Sequence, residues 1–268
     1  MAPSLLGKAP ETDDTMCART SSLAAAALLA WPAAPLALAP GEETLLAVSY
    51  LGIPAGEARM AVGQPEGDVL PIFFQVRSSG AASIVDIREH LVVYWDLVTR
   101  LPRGSDLRAI ELGDRHQDRT RFDRVAGEVS VTVSRKGRTK EKRAPCPPDG
   151  QDYTGAFLFL RLQPLAVGQR YELPVCSRAE PFTLVARVEA RERVETPAGE
   201  FDALRVAVKT PVRGKFKAER DVLLWFSDDP RHVLVKMSGE FSVGSVVASL
   251  KRYAPGQAIA ALPPAAGP

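Results

Sequence analysis

The sequence predicts an all-β, mostly antiparallel fold, a curved sheet or barrel-like meander with one short helix near 152–161. Three observations carry that expectation. Around Glu195 to Leu250 the stretches VETPAGEFDALRVAV, DVLLWFSDDPRHVLVKM and FSVGSVVASL are β-type runs closed by turn residues at Ala198-Gly199, Ser227-Asp228-Asp229-Pro230 and Gly244. Adjacent runs of that kind pair as a meander. Second, Val129, Val131 and Val133 alternate with polar residues, the period of a strand with one buried face. Third, DYTGAFLFLR breaks the β pattern: Asp152 is a capping residue, and Ala156, Phe157, Phe159 and Leu160 form a broad apolar face.

Composition sets the class. With 46% hydrophobic and 25% charged residues over 268 positions, the chain can bury a core and is not disordered as a whole. A net charge of +2 exerts no strong pull toward nucleic acid, so no nucleic-acid partner is expected.

Taken in order, the chain opens with an Ala/Leu-rich apolar run over 23–38 behind Arg19, ending in the small-x-small tripeptide Ala37-Leu38-Ala39. This predicts a signal peptide within an extension over 1–39, with Met16 as the start, cleavage near Ala39 and a periplasmic or secreted product. Pro32 and Pro35 interrupt a run barely long enough to span a bilayer, so no stable transmembrane segment is expected after cleavage. Cys17 precedes the apolar run without a lipobox. A single β domain is then expected over 40–254, followed by a disordered Pro/Ala-rich tail over 255–268.

Within the domain, Leu45 to Tyr50 and Glu57 to Val62 flank Gly52-Ile53-Pro54-Ala55-Gly56, which suits a hairpin or a bulged strand. Pro71 to Ser78 and Ser83 to Val98 are rich in β-branched and aromatic residues and continue the strands. From Leu101 to Asp118 the chain turns polar, and His116, among Asp114, Arg115 and Asp118, is read as part of a solvated loop. His90 and His232 lie in separate segments and offer no ligand cluster. Glu128 to Ser134 and the basic run Arg138, Lys140, Lys142 and Arg143 read as a solvated hairpin turning at Lys136-Gly137, with positive charge protecting an edge. Gly168 to Val175 and Pro181 to Glu195 return to alternation. Cys146 and Cys176 would close a loop of about 30 residues if bridged in an oxidising compartment. Spacing alone leaves bridge and free thiols equally open.

Tyr50-Leu51-Gly52-Ile53-Pro54-Ala55-Gly56, Asp152 through Arg161, Gly168 with Tyr171, Thr196 to Phe201, Trp225 with Ser227-Asp228-Asp229, and Gly244-Ser245 together resemble the DUF3108 family of exported bacterial proteins, from about Gly41 to Tyr253. The resemblance implies a barrel-like antiparallel domain of the cell envelope with no established activity. Thr154-Gly155 and the two cysteines depart from the pattern.

The expected function is non-catalytic: a binding or carrier module for an apolar or glycan ligand of the envelope. The alternative is an assembly or scaffolding protein contacting a protein partner. The candidate ligand contacts are Tyr50, Asp152, Tyr153, Phe157, Arg161 and Trp225, with Phe159 beside them. No catalytic residue, metal ligand or cofactor is implied. A hydrolase would need Asp228, Asp229 and His232 to act together, and the plainer reading is a turn between strands.

Overall fold

The computed structural model describes residues 38–80, 86–111, 113–209, 221–241 and 244–257. The expected signal peptide as far as residue 37, Cys17 and the expected tail beyond residue 257 lie outside the described residues.

Among the described residues fourteen strands form one sheet. They are β1 (Glu43–Tyr50), β2 (Ile53–Val62), β3 (Val69–Ser78), β4 (Ile87–Asp96), β5 (Pro102–Glu111), β6 (Asp114–Asp123), β7 (Glu128–Arg135) and β8 (Arg138–Pro145), then helix α1 (Tyr153–Arg161), then β9 (Arg170–Ser177), β10 (Glu180–Thr196), β11 (Gly199–Lys209), β12 (Val222–Ser227), β13 (Leu234–Phe241) and β14 (Gly244–Ala254). The order is β8-β7-β6-β5-β4-β3-β2-β1-β14-β13-β12-β11-β10-β9. Each named pairing is antiparallel, and all but the β1–β14 pairing join consecutive strands. The meander expected near the C-terminus is therefore β10 to β14, and the same rule extends through the whole sheet.

The sheet curls into a nearly closed barrel whose two free edges, β8 and β9, meet at a seam. Cys146, just past β8, lies at disulfide distance from Cys176 on β9, with their Cα atoms 6.0 Å apart. Gln151 pairs with the open edge of β9: its amide donates to the Pro174 carbonyl at 3.1 Å and its carbonyl accepts from the Cys176 amide at 2.8 Å. Val129 and Val131 pack against the two cysteines. β8 is exposed along nearly its whole length, as its basic sequence anticipates.

The polar stretch after Leu101 is not the solvated loop its composition suggests. It forms β5 and β6, paired in register from Gly104–Arg121 to Glu111–Asp114. The apolar signal fails because polar groups lie on both faces here: Arg115, Gln117 and Arg119 outward, His116 and Asp118 toward the lumen. β1 and β2 turn tightly at Leu51-Gly52, with a register shift opposite Gly56. At Gly56 the backbone of β3 passes so close that a Cβ would stand 2.2 Å from the Arg77 carbonyl oxygen, which only glycine tolerates.

The helix runs inside the barrel. Asp152 caps it by accepting from the Gly155 amide at 2.7 Å, and its other carboxylate oxygen accepts from the Ser105 hydroxyl at 3.0 Å. Leu158 packs on Met60, Leu70, Ile72, Val93 and Trp95 of one wall. Ala156 and Leu160 pack on Val175, Leu184, Val206, Leu224 and Phe226 of the other. A helix apolar around its circumference is one buried on all sides. Gly155, an unfavourable helix residue, is explained by proximity: a Cβ there would stand 2.8 Å from Cγ of Pro102 on β5. Among the described residues no helix is long and apolar enough to cross a membrane.

Candidate functional site

Strand alternation sends Thr44, Leu46 and Val48 of β1, Ala58 and Met60 of β2, and Phe74 and Val76 of β3 to the lumen. Leu224 of β12, Leu234 and Met237 of β13, and Val246 and Ala248 of β14 continue the lining past the β1–β14 pairing. Between these strands and the helix side chains Tyr153, Ala156, Phe157 and Leu160 lies a cavity of about 510 Å³. Its lining is almost entirely apolar. Phe157 stands at its centre, edge-on to Phe74 with ring centroids 6.4 Å apart and stacked on Phe226 at 5.8 Å.

At the end where the helix stops, Arg161 is 1% exposed and faces Glu42, 2% exposed. Its Nη2 donates to Glu42 Oε1 at 2.7 Å and to the Arg231 carbonyl at 3.1 Å, and its Nε donates to the His232 carbonyl at 3.0 Å. The His232 ring reciprocates, Nδ1 lying 3.0 Å from the Arg161 carbonyl. A buried guanidinium satisfied in this way closes the barrel floor around the helix C-terminus. Near this floor Thr44 is 3% exposed, and its Oγ1 is buried without a hydrogen-bond partner among the described residues.

The structure thus brings Tyr153, Phe157 and Arg161 together on the cavity. The other three candidates lie elsewhere. Asp152 is half-buried as the helix cap. Tyr50 is 38% exposed at the end of β1, its ring against Gly244. Trp225 is buried, yet on the face of β12 opposite to Leu224 and Phe226, which belong to the helix cluster. Its Nε1 donates to Glu192 Oε1 at 2.5 Å, and Lys236 Nζ stands 5.1 Å from its ring centroid. The far end of the β10–β11 hairpin covers it: β10 shifts register after Val188, and the hairpin turn at Ala198 donates to the Leu250 carbonyl at 3.0 Å. Phe159 packs with the helix in both core clusters.

Asp228, Asp229 and His232 do not converge. Asp228 pairs with Arg191, Asp229 accepts from the amide and guanidinium of Arg231, and His232 is tied to the helix end. On the lumen side of β4 to β6, register aligns Glu89 with His116 across Ala109. Burial, together with Glu111, pushes the Glu89 carboxyl up, and burial does the same to Asp118. Among the described residues no group of three or more His, Cys, Asp or Glu is placed to hold a metal ion.

Sequence reasoning missed Glu42, Thr44, Met60, Leu224 and Met237. The even-numbered alternation of Thr44, Leu46 and Val48 was the available signal; the rest depends on which strands the sheet brings together.

One solved structure of similar fold agrees with the architecture. A crystal structure of a beta-barrel-like protein of a domain of unknown function, DUF1849, from Brucella abortus is similar in fold at a TM-score of 0.56, with 9% identity, covering 81% of this chain and 98% of that one. A hypothetical protein from Chlamydia trachomatis aligns over 84% of this chain and 92% of its own at 10% identity and a TM-score of 0.36. No curated protein matches the chain. The profile of the protein family of unknown function DUF3108 matches residues 46–251. Apart from the first residues of β1, Thr44 among them, and the last of β14, the strands and helix that build the cavity fall inside that span, and the chain is a member of the DUF3108 family.

Proposed function

We propose that the protein is an exported envelope protein that binds an apolar ligand, such as the acyl chain of an envelope lipid, in the cavity between α1 and the walls of the barrel. The observation that carries this reading is the cavity itself. Its volume of about 510 Å³ lies within the roughly 300–1,000 Å³ of small-molecule sites, which are mostly apolar with a few polar groups. Phe157, Leu224, Met237 and Ala248 offer an acyl chain dispersion contacts and no competing hydrogen bonds. A glycan would leave its hydroxyls unpaired against these walls, which is unfavourable. Thr44 Oγ1 supplies one hydrogen-bonding group for a polar terminus. The apolar run over 23–38 and the small-x-small tripeptide support export. The role is carriage, with no reacting group required of the site.

Lipid extraction and mass spectrometry of the protein purified from its native envelope test the reading, together with titration by a fluorescent fatty acid. A co-purifying lipid and saturable probe binding are expected. Val246→Trp, which fills the cavity, should abolish the binding, whereas Trp225→Phe, on the outer face, should leave it intact. Absence of saturable binding, or equal binding by the Val246→Trp protein, would refute it. Cell fractionation with N-terminal sequencing tests export; a soluble cytoplasmic product still beginning at Met1 or Met16 would refute that part.

A further inference from the structure

We infer that the outer face of β4 to β7 is a second binding site, independent of the cavity, for a phosphate-bearing ligand. Antiparallel register assembles it from residues far apart in the sequence. His90 of β4 stands opposite Arg108 of β5, Arg108 opposite Gln117 of β6, and Gln117 opposite Ser134 of β7. The adjacent row sets Arg88 opposite Ile110 and Ile110 opposite Arg115. Neighbouring strands lie about 4.8 Å apart, so these side chains form a single array on the side of the sheet opposite to Leu91 and Leu107.

The array lines a concavity of about 720 Å³, closed at one end by the β7–β8 turn with Lys136. Of the charged residues that line it, Arg88, Arg108 and Arg115 stand on the outer face and Lys136 in the turn, whereas Arg135, opposite His116, and Asp114 alternate to the lumen side. Asp114 is already paired with Arg135, and Arg88 is paired with Asp86 outside the concavity. Arg108, Arg115 and Lys136 have no ion-pair partner among the described residues.

Cations gathered in one concavity repel one another and focus a positive potential. A bound anion relieves that repulsion. Two guanidiniums, an ammonium, an amide and a hydroxyl supply the planar, fork-shaped and point donors that phosphate oxygens accept. Among the described residues no Phe, Tyr or Trp lines this groove as a stacking platform for successive bases, which favours a phosphorylated small molecule or lipid headgroup over single-stranded nucleic acid.

The test uses the full chain at physiological salt with two probes: inorganic pyrophosphate, followed by calorimetry, and phosphatidylcholine vesicles with and without phosphatidic acid, followed by co-sedimentation. Binding of pyrophosphate, of the phosphatidic acid vesicles, or of both is expected, and which probe binds distinguishes a free phosphate from a lipid headgroup. The doubly substituted Arg108→Gln, Arg115→Gln protein should bind about tenfold or more weakly. Both arginines are exposed strand residues, so the fold should survive. Arg191→Gln with Arg193→Gln removes the same charge on the β10–β11 hairpin and should leave binding unchanged. Failure of the wild-type protein to bind either probe, wild-type affinity in the Arg108/Arg115 variant, or equal weakening in the Arg191/Arg193 control would each overturn the assignment.

Discussion

Replacing Arg161 by methionine tests whether the buried pair at the barrel floor holds the helix in place. The substitution keeps an unbranched apolar stem beside Met60 but removes the charge facing Glu42, leaving a carboxylate 2% exposed without its partner. Breaking one side of a buried pair costs about 3–5 kcal/mol. The Arg231 and His232 carbonyls also lose their donors, and an unsatisfied buried group costs roughly 1–3 kcal/mol more where it cannot reach water. Against a total stability of about 5–15 kcal/mol, Arg161→Met alone should leave the domain marginal or unfolded. The double variant Glu42→Leu, Arg161→Met removes both charges, and the stranded-carboxylate cost should disappear with them. Urea midpoints of the wild type, both single variants and the double variant complete a double-mutant cycle. A single Arg161→Met variant within about 1 kcal/mol of wild type, or a double variant no more stable than that single one, would refute the reasoning.

Two further outcomes are expected. Substituting Cys146 and Cys176 together by serine releases a cross-link between residues 30 apart in sequence and should lower stability by roughly 3–4 kcal/mol; an unchanged urea midpoint, or no response of the wild type to reductant, would count against a bridge. Burial pushes the Asp152 carboxyl above the ordinary carboxylate range, outweighing the Gly155 amide and the Ser105 hydroxyl that pull it down. The native state then holds that proton more tightly than the unfolded chain. Its contribution to stability is complete below the ordinary carboxylate range and is lost as pH rises through the raised native value. Asp152→Asn keeps a capping acceptor and removes this dependence, so wild type should lose stability relative to the variant as pH is raised from about 4 to 8. Equal slopes for the two proteins would show that Asp152 is not held protonated.

Much of the sheet was legible because alternation is a local signal: Val129, Val131 and Val133 need no partner to declare a strand. The cap at Asp152 was legible for the same reason. β5 and β6 were not, because His116 and Asp118 occupy lumen positions where the pattern calls for apolar residues. Trp225 belongs to a strand apolar on both faces, and β12 is indeed covered twice, by the barrel contents and by the hairpin end bearing Glu192. Nothing near Trp225 says which cover it meets. Arg161 and Glu42 lie 119 positions apart, so their pairing follows only from the closed topology. Of the cavity, the helix contribution was readable from Tyr153 and Phe157. The strand contribution waits on knowing which strands the sheet brings together.

The strand order also dictates how the chain can assemble. Hairpins between consecutive strands form early because their loops are short and their closure entropy small. The β1–β14 pairing is different: Glu43 and Arg252, which it brings into contact, are 209 residues apart. The N-terminal and C-terminal arms can therefore each zip up from local turns, but the cavity walls, drawn from β1 to β3 and from β12 to β14, come together only when the last strand is available. Until then the apolar faces of Leu46, Met60, Leu224 and Ala248 stand open to solvent and to other chains. The window between synthesis of β1 and docking of β14 is the interval of greatest aggregation risk, and an apolar molecule captured during that interval would be enclosed by the act of folding itself.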